Sequence, residues 1–181
     1  MEGQSLSTKD ALMHGLIIGL IQVVLTLLIY VFGVEYLTKW WLSLIVLTIF
    51  LVTLVISGKK FRSANNGVAT LKEMFGFLIV TFLSAFIIST IFNIVLHNVI
   101  DPGLALQMKE ILINDTVSLM ERFGGSDDDI DEAVSRFATF EQEFTPLKQL
   151  MGIVWAPIWG GIIVLIISAS LKKSRGIFDE E

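Results

Sequence analysis

Four stretches of the chain contain no Asp, Glu, Lys or Arg: residues 11–34, 40–58, 74–100 and 149–171. All 13 basic and all 18 acidic residues are confined to the segments between and beyond them. A helix or sheet that folds in water keeps a polar face, so charge is interleaved with apolar residues along it. Here the two are separated. At about 1.5 Å of rise per helical residue, runs of 19 to 27 uncharged residues are long enough to cross a hydrocarbon core about 30 Å thick. The expected fold is all-α, a polytopic membrane four-helix bundle forming a single domain over residues 1–181. Its spans fall near 11–33, 40–57, 74–100 and 150–171, with a helical hairpin outside the membrane between spans 3 and 4. A soluble enzyme or a nucleic-acid binder does not fit this pattern.

Positive charge in short loops is retained on the cytoplasmic side, which orients the spans. The loop 58–73 carries Lys59, Lys60, Arg62 and Lys72 against Glu73, and the tail opens with Lys172, Lys173 and Arg175. Both are expected in the cytoplasm, and with four spans the N-terminus joins them. The first span has no small-x-small cleavage site near its end, so it is expected to remain in the protein. The inner segments then hold 8 positive and 6 negative residues and the outer ones 5 and 12, for net charges of +2 and −7. Trp40, Trp41, Trp155, Trp159, Tyr30 and Tyr36 all lie toward the outer ends of spans, as an interfacial belt requires.

The segment from Asp101 to Lys148 is too periodic to be unstructured. Pro102 suits a first helical position, and Leu104, Met108, Ile111, Leu112 and Leu119 predict an amphipathic helix over about 102–123. Gly124 and Gly125 end it. Ser126 with Asp129 three residues on has the form of a capping box, and the acidic first turn favours a second helix over about 127–144. Thr145 followed by Pro146 starts the helix that becomes span 4. The polar face of this segment is acidic, whereas helices that lie on anionic lipid are rich in Lys and Arg. It is therefore expected to cover the bundle or a partner protein, with Phe137, Phe140 and Phe144 as candidate partner-binding anchors.

Inside the spans the informative residues are small or polar. Gly15, Gly19, Gln22 and Thr26 share one stripe of span 1, and Gly152, Ala156 and Gly160 repeat the spacing in span 4. Small residues let helices approach closely, and a buried amide can hydrogen-bond across the contact, so these seven are candidate packing residues. Pro157 removes a backbone donor and predicts a bend. Span 3 carries Thr81, Ala85, Ser89, Asn93 and His97 at four-residue steps. Gln22, Asn93 and His97 form a candidate intramembrane polar site. Span 2, mostly Leu, Ile, Val and Phe, is expected to be the one most exposed to lipid.

Catalytic chemistry is hard to place. The chain has no cysteine, which removes thiolate nucleophiles and Cys-based metal sites. Intramembrane relays and hydrolases use ionisable groups inside the bilayer, and no Asp, Glu, Lys or Arg occurs within any span. His14 and His97, the only histidines, open span 1 and close span 3, so they are separated by the membrane thickness. The run Asp127 to Glu132 has Asp at the first, third and fifth positions of a calcium loop. Glu132 stands where glycine is needed and Ala138 where glutamate is needed. Asn114-Asp115-Thr116 has the form of a glycosylation sequon on the expected outer side. No catalytic residue, metal or cofactor is expected.

His14-Gly15 followed by Gly19, the basic loop Lys59-Lys60-Phe61-Arg62 leading to Asn65-Asn66-Gly67, Leu71 to Gly76 opening span 3, and the Leu171-Lys172-Lys173 ending make a combined pattern. With the acidic outer helices, it resembles the bacterial membrane proteins grouped as domain of unknown function 4199, over about Lys9 to Lys173. The resemblance implies a four-span bacterial inner-membrane protein of unassigned activity. Members look like neighbours of lipid-linked-sugar glycosyltransferases, which implies an accessory role. The expectation from the sequence is thus a non-enzymatic structural or accessory subunit, bound to another membrane protein or to a second copy of itself within the lipid bilayer. The alternative is a small transporter or lipid-binding protein.

Overall fold

A computed structural model describes residues 8–173. The elements are α1 (Thr8–Phe32), α2 (Val34–Leu37), α3 (Trp40–Ala64), α4 (Leu71–Val95), α5 (Leu104–Arg122), α6 (Asp127–Ser135) and α7 (Pro146–Leu171). A π-helical turn, Leu96–Ile100, prolongs α4, and a 3₁₀ turn, Phe140–Phe144, precedes α7. Beyond these, an isolated antiparallel bridge pairs Ala69 with Lys173. Helices α1, α3, α4 with its π turn, and α7 are each long and apolar enough to cross a membrane. This is an all-helical membrane protein. Glu2 and the residues from Arg175 to Glu181, which enter the charge count, lie outside the described residues.

Helix α4 is the axis of the bundle. It packs along α1 on one side and α7 on another, with a smaller contact to α3. Helices α1 and α4 run in the same direction, Ala11 meeting Thr81, Gly15 Ser84 and Gly19 Ile88 in order, and Thr81 Oγ1 donates to the Ala11 carbonyl at 3.2 Å. Glycine makes this approach possible. A Cβ added at Gly15 would lie 2.5 Å from Ser84 Cβ and 2.6 Å from the Thr81 carbonyl oxygen, and one added at Gly19 would lie 2.8 Å from Ile88 Cβ. Lipid tails are as apolar as leucine, so this contact is held by close packing rather than by the hydrophobic effect.

The end of the bundle that carries the basic loop is tightly closed. Leu54, Ser57, Gly58 and Phe61 of α3 are buried there against Met74, Phe77 and Leu78 of α4 and Leu171 of α7. Phe61 and Phe77 stack with centroids 4.5 Å apart, and Arg62 donates to the Leu171 carbonyl at 3.1 Å. The hydrogen-bonded pair Ala69 and Lys173 ties the start of α4 to the end of α7. Thr70 and Glu73 form a capping box on α4, which the sequence reading did not single out.

The segment between α4 and α7 departs from expectation in two places. Helix α5 begins at Leu104 rather than Pro102, because Asp101 Oδ1 accepts from the Gly103 amide at 3.2 Å and holds 101–103 in a turn. The single helix expected over 127–144 is two pieces. The capping box at Ser126 and Asp129 is present, but α6 ends at Ser135. The chain turns so that Phe140 and Phe144 pack onto Leu96, Leu104 and Met108. That burial outweighs the continuation of a short, strongly acidic helix whose next residues include β-branched and aromatic side chains of weak helix propensity. Helix α5 does stop before Gly124, whose φ of 75° suits glycine, and α7 does start at Pro146.

Candidate functional site

Helices α3 and α7 diverge as they leave the tight end. Every buried residue of α3 lies between Leu54 and Phe61, and its first half, from Trp40 to Thr53, buries none. Between this half of α3 and the facing parts of α1, α4 and α7 is a cavity of about 680 Å³, within the usual range for small-molecule pockets. Its end nearest the basic loop is lined by Phe50, Phe82 and Trp159, where Phe50 and Phe82 meet edge to face and Gly160 adjoins Phe82. Gln22, Thr26, Ser43, Phe86, Ser89, Gly152 and Trp155 line the rest, and Tyr36 and Leu37 line it at the α2 end. Among the described residues no Asp, Glu, Lys, Arg or His lines it.

The small residues of α7 shape this space. Gly160 faces the ring of Phe82 so closely that a Cβ there would overlap Phe82 Cε1 and Cζ. A Cβ at Gly152 would meet nothing within 4 Å. Ala156 is buried on the cavity wall. Thus Gly15, Gly19 and Gly160 are contact points between helices of this chain, whereas Gly152, Gln22 and Thr26 face open volume. Trp155 and Trp159 are 58% and 69% exposed and Tyr36 40%, so the wall made by α3 and α7 opens toward the surroundings of the bundle. Helix α7 presents as long an exposed apolar surface as α3. Span 2 is therefore not alone in facing outward, because both helices lean on α4 and little on each other.

Gln22 is the unusual group. The residue is 8% exposed, and its Nε2, fully buried, has no hydrogen-bond partner. Buried polar atoms are paired in the great majority of cases, and one left unpaired costs on the order of 1–3 kcal/mol. Gln22 lies near the middle of the uncharged run 11–34, about 17 Å along the helix from either end.

The polar site expected from Gln22, Asn93 and His97 is not one site. Asn93 Nδ2 donates to the Ser89 carbonyl within α4 at 2.8 Å. His97 lines a separate cavity of about 280 Å³ with Asn98, Glu141 and Gln142. The reason is rotational: two four-residue steps on a 3.6-residue helix turn the stripe by about 80°, so Ser89 faces the large cavity and His97 does not. His97 Nδ1 is 3.0 Å from the Asn93 carbonyl. A carbonyl only accepts, so the ring proton sits on Nδ1 and Nε2 is left as a buried acceptor without a partner. The His97 ring stacks on Phe144 at 4.4 Å. Phe137, Phe140 and Phe144 are half-buried in a file of ring contacts, and Asn98 and Gln149 both donate to the Phe144 carbonyl. At the other end, His14 Nδ1 is 3.0 Å from Ser57 Oγ. Among the described residues no cluster of three or more His, Asp or Glu could hold a metal.

Phe50, Phe82, Phe86, Trp155 and Trp159 were not foreseen as site residues. Trp159, expected in the interfacial belt, stands instead near the middle of its uncharged run, as Phe50 does in its own, and that depth was the available signal.

The family model described as a protein of unknown function, DUF4199, matches residues 13–173. The chain belongs to that family. The match spans all four membrane-length helices of this DUF4199 protein and the segment between α4 and α7, so cavity and family region coincide. No curated protein and no solved structure matches it.

Proposed function

We propose that this DUF4199 protein is a membrane-embedded binding protein that takes an apolar molecule from the bilayer into the cavity between α3 and α7. The observation that carries this reading is the charge-free, aromatic-walled cavity of about 680 Å³ that opens sideways between α3 and α7. Sideways opening suits a ligand that arrives through lipid, and the absence of ionisable groups from the lining suits binding rather than proton-coupled transport or hydrolysis. In this reading the basic-loop end faces the cytoplasm, which the positive-inside count supports, and α5 and α6 lie outside as a cover over the other end. The small-residue seams that suggested an accessory subunit are used within the chain at Gly15, Gly19 and Gly160, and this favours the binding reading over the subunit reading.

Native mass spectrometry of the protein, gently extracted from its own membranes, tests this. We expect one small apolar molecule per chain, lost when Gly152→Trp fills the cavity. A stoichiometric second protein, with no small molecule retained, would overturn the binding reading and restore the accessory one.

A further inference from the structure

Helix α5 extends past the bundle that it covers. Its first turns rest on Leu96 at the end of α4, with Val34 and Leu37 of α2 beside them. Its middle is tied by Asp115, at 2.8 Å, to Lys39 just before α3 begins. Both supports stand where membrane-length helices end, so α5 runs along the membrane boundary. From Asp115 it continues for about 12 Å to Phe123. No described residue covers this end, where Leu119 is 55% and Phe123 83% exposed.

The exposed pair lies on the face of α5 that makes the contacts. At 3.6 residues per turn, Leu104, Met108, Asp115, Leu119, Arg122 and Phe123 fall within about 100° of arc, with Glu110, Asn114 and Glu121 opposite. The face that packs on the bundle thus carries two large apolar side chains past its edge, at the level of exposed Trp40 beside Lys39. What adjoins a membrane protein at that level is the headgroup zone of the bilayer. Arg122 has no ion-pair partner among the described residues. Beside it is an open groove of about 690 Å³ lined also by Asp115, Ser118, Leu119 and Glu121. A cation set among carboxylates suits a headgroup that carries both charges. A net anionic surface would be repelled by Glu121 and by the acidic run from Asp127 to Glu132 that follows.

We propose that the end of α5 is a membrane anchor, with Leu119 and Phe123 set among the lipids of the leaflet beneath it and Arg122 donating to the phosphate of a zwitterionic phospholipid. The anchor is separate from the cavity between α3 and α7 and does not depend on what that cavity holds.

The chain has no cysteine, so single cysteines place a nitroxide at chosen positions of the full-length protein in phosphatidylethanolamine–phosphatidylcholine nanodiscs. Leu119→Cys and Phe123→Cys each leave the other anchoring side chain in place, and Glu110→Cys is the control facing water. Relaxation by oxygen, which concentrates in lipid, and by a nickel chelate, which stays in water, reads the surroundings of each label. We expect oxygen to dominate at 119 and 123 and the chelate at 110. Leu119→Ser combined with Phe123→Ser should speed amide exchange over 116–123 by about tenfold, as loss of two partly buried apolar side chains implies, with the spans unchanged. Arg122→Gln should speed it by about threefold, within the range for one cation at a lipid surface. Slower exchange on adding phosphatidylglycerol would overturn the zwitterionic assignment. If the chelate reaches 119 and 123 as readily as 110, the face lies in water and the anchor is wrong. If both reagents are excluded from 119 and 123 and native mass spectrometry shows a second chain, the face is a protein contact, and the lipid assignment is equally overturned.

Discussion

The two halves of the bundle use the same four helices and are packed by opposite means. At the basic-loop end, Gly58 admits the side chains of Leu171, Leu78 and Met74, two phenylalanine rings stack, and Arg62 closes onto the end of α7. At the other end, α3 contributes no buried residue for its first fourteen positions, and the space it leaves is lined by aromatics and one unpaired amide. Glycine in the first half is filled by a neighbour; Gly152 in the second is left empty. A small residue in a membrane helix is therefore ambiguous until its neighbours are known, since it makes either a contact or a hollow.

The strongest way to break the contrast is at the α1–α4 seam, on which both halves depend. Gly15→Leu should cost about 3 kcal/mol or more, the upper range for overpacking, because the nearest atoms are the backbone oxygen of Thr81 and the Cβ of Ser84, which cannot swing away. Loss of a folded, monodisperse species in detergent is the readout. Next is a matched pair of glycines. Gly58→Ala should destabilise by about 1–2 kcal/mol, since its Cβ would lie 2.7 Å from Leu171 Cδ1, a flexible atom that can partly yield. Gly152→Ala should cost nothing, given open space and the better helix propensity of alanine. Equal unfolding midpoints for the two would show that the halves are not packed differently.

A smaller effect of opposite sign is expected at the unpaired groups. Gln22→Met should stabilise the ligand-free protein by about 1 kcal/mol, by removing a buried donor without a partner; reversible denaturation of delipidated samples measures it. Ser168 Oγ is also buried without a partner, but in the tight half, where nothing could enter to pair it. Ser168→Ala should therefore give a gain of about 0.5 kcal/mol that ligand does not change.

The least effect concerns the segment between α4 and α7. Hydrogen bonds from the Ser126 hydroxyl and amide hold the Asp129 carboxyl below its ordinary value of 3.8. A depressed acid stabilises the folded form above its unfolded pKa and loses that contribution as pH falls through the folded one. The start of α6 should thus fray only below about pH 4, seen as faster amide exchange over 126–135. Asp129→Asn should show that faster exchange already at neutral pH, with the spans unaffected.

How much of this was legible beforehand differs by level. Four membrane-length helices follow from the uncharged runs, and the α6 cap and the start of α7 follow from Ser126, Asp129, Thr145 and Pro146, because those are local rules read over a few residues. The end of α6 at Ser135 was not legible, since it depends on Phe140 and Phe144 finding Leu96, Leu104 and Met108, more than thirty residues away. Gln22 could be singled out as an intramembrane polar group, but its grouping with Asn93 and His97 could not be checked from spacing, because a four-residue step drifts around the helix.

By itself, then, the sequence determined that the chain is helical, that it has four lengths suited to a bilayer, and which residues are small or polar within them. Charge segregation and helix capping depend only on neighbouring residues and on the cost of placing charge in hydrocarbon. Tertiary structure alone decided which glycines are contacts and which border a cavity, that α3 and α7 separate along half their length, and that Gln22 faces the space between them. In a membrane no hydrophobic force draws one apolar helix to another, so hydropathy carries no information about which faces meet. That is settled by shape, through the fit of Gly15 to Ser84, Gly58 to Leu171 and Gly160 to Phe82.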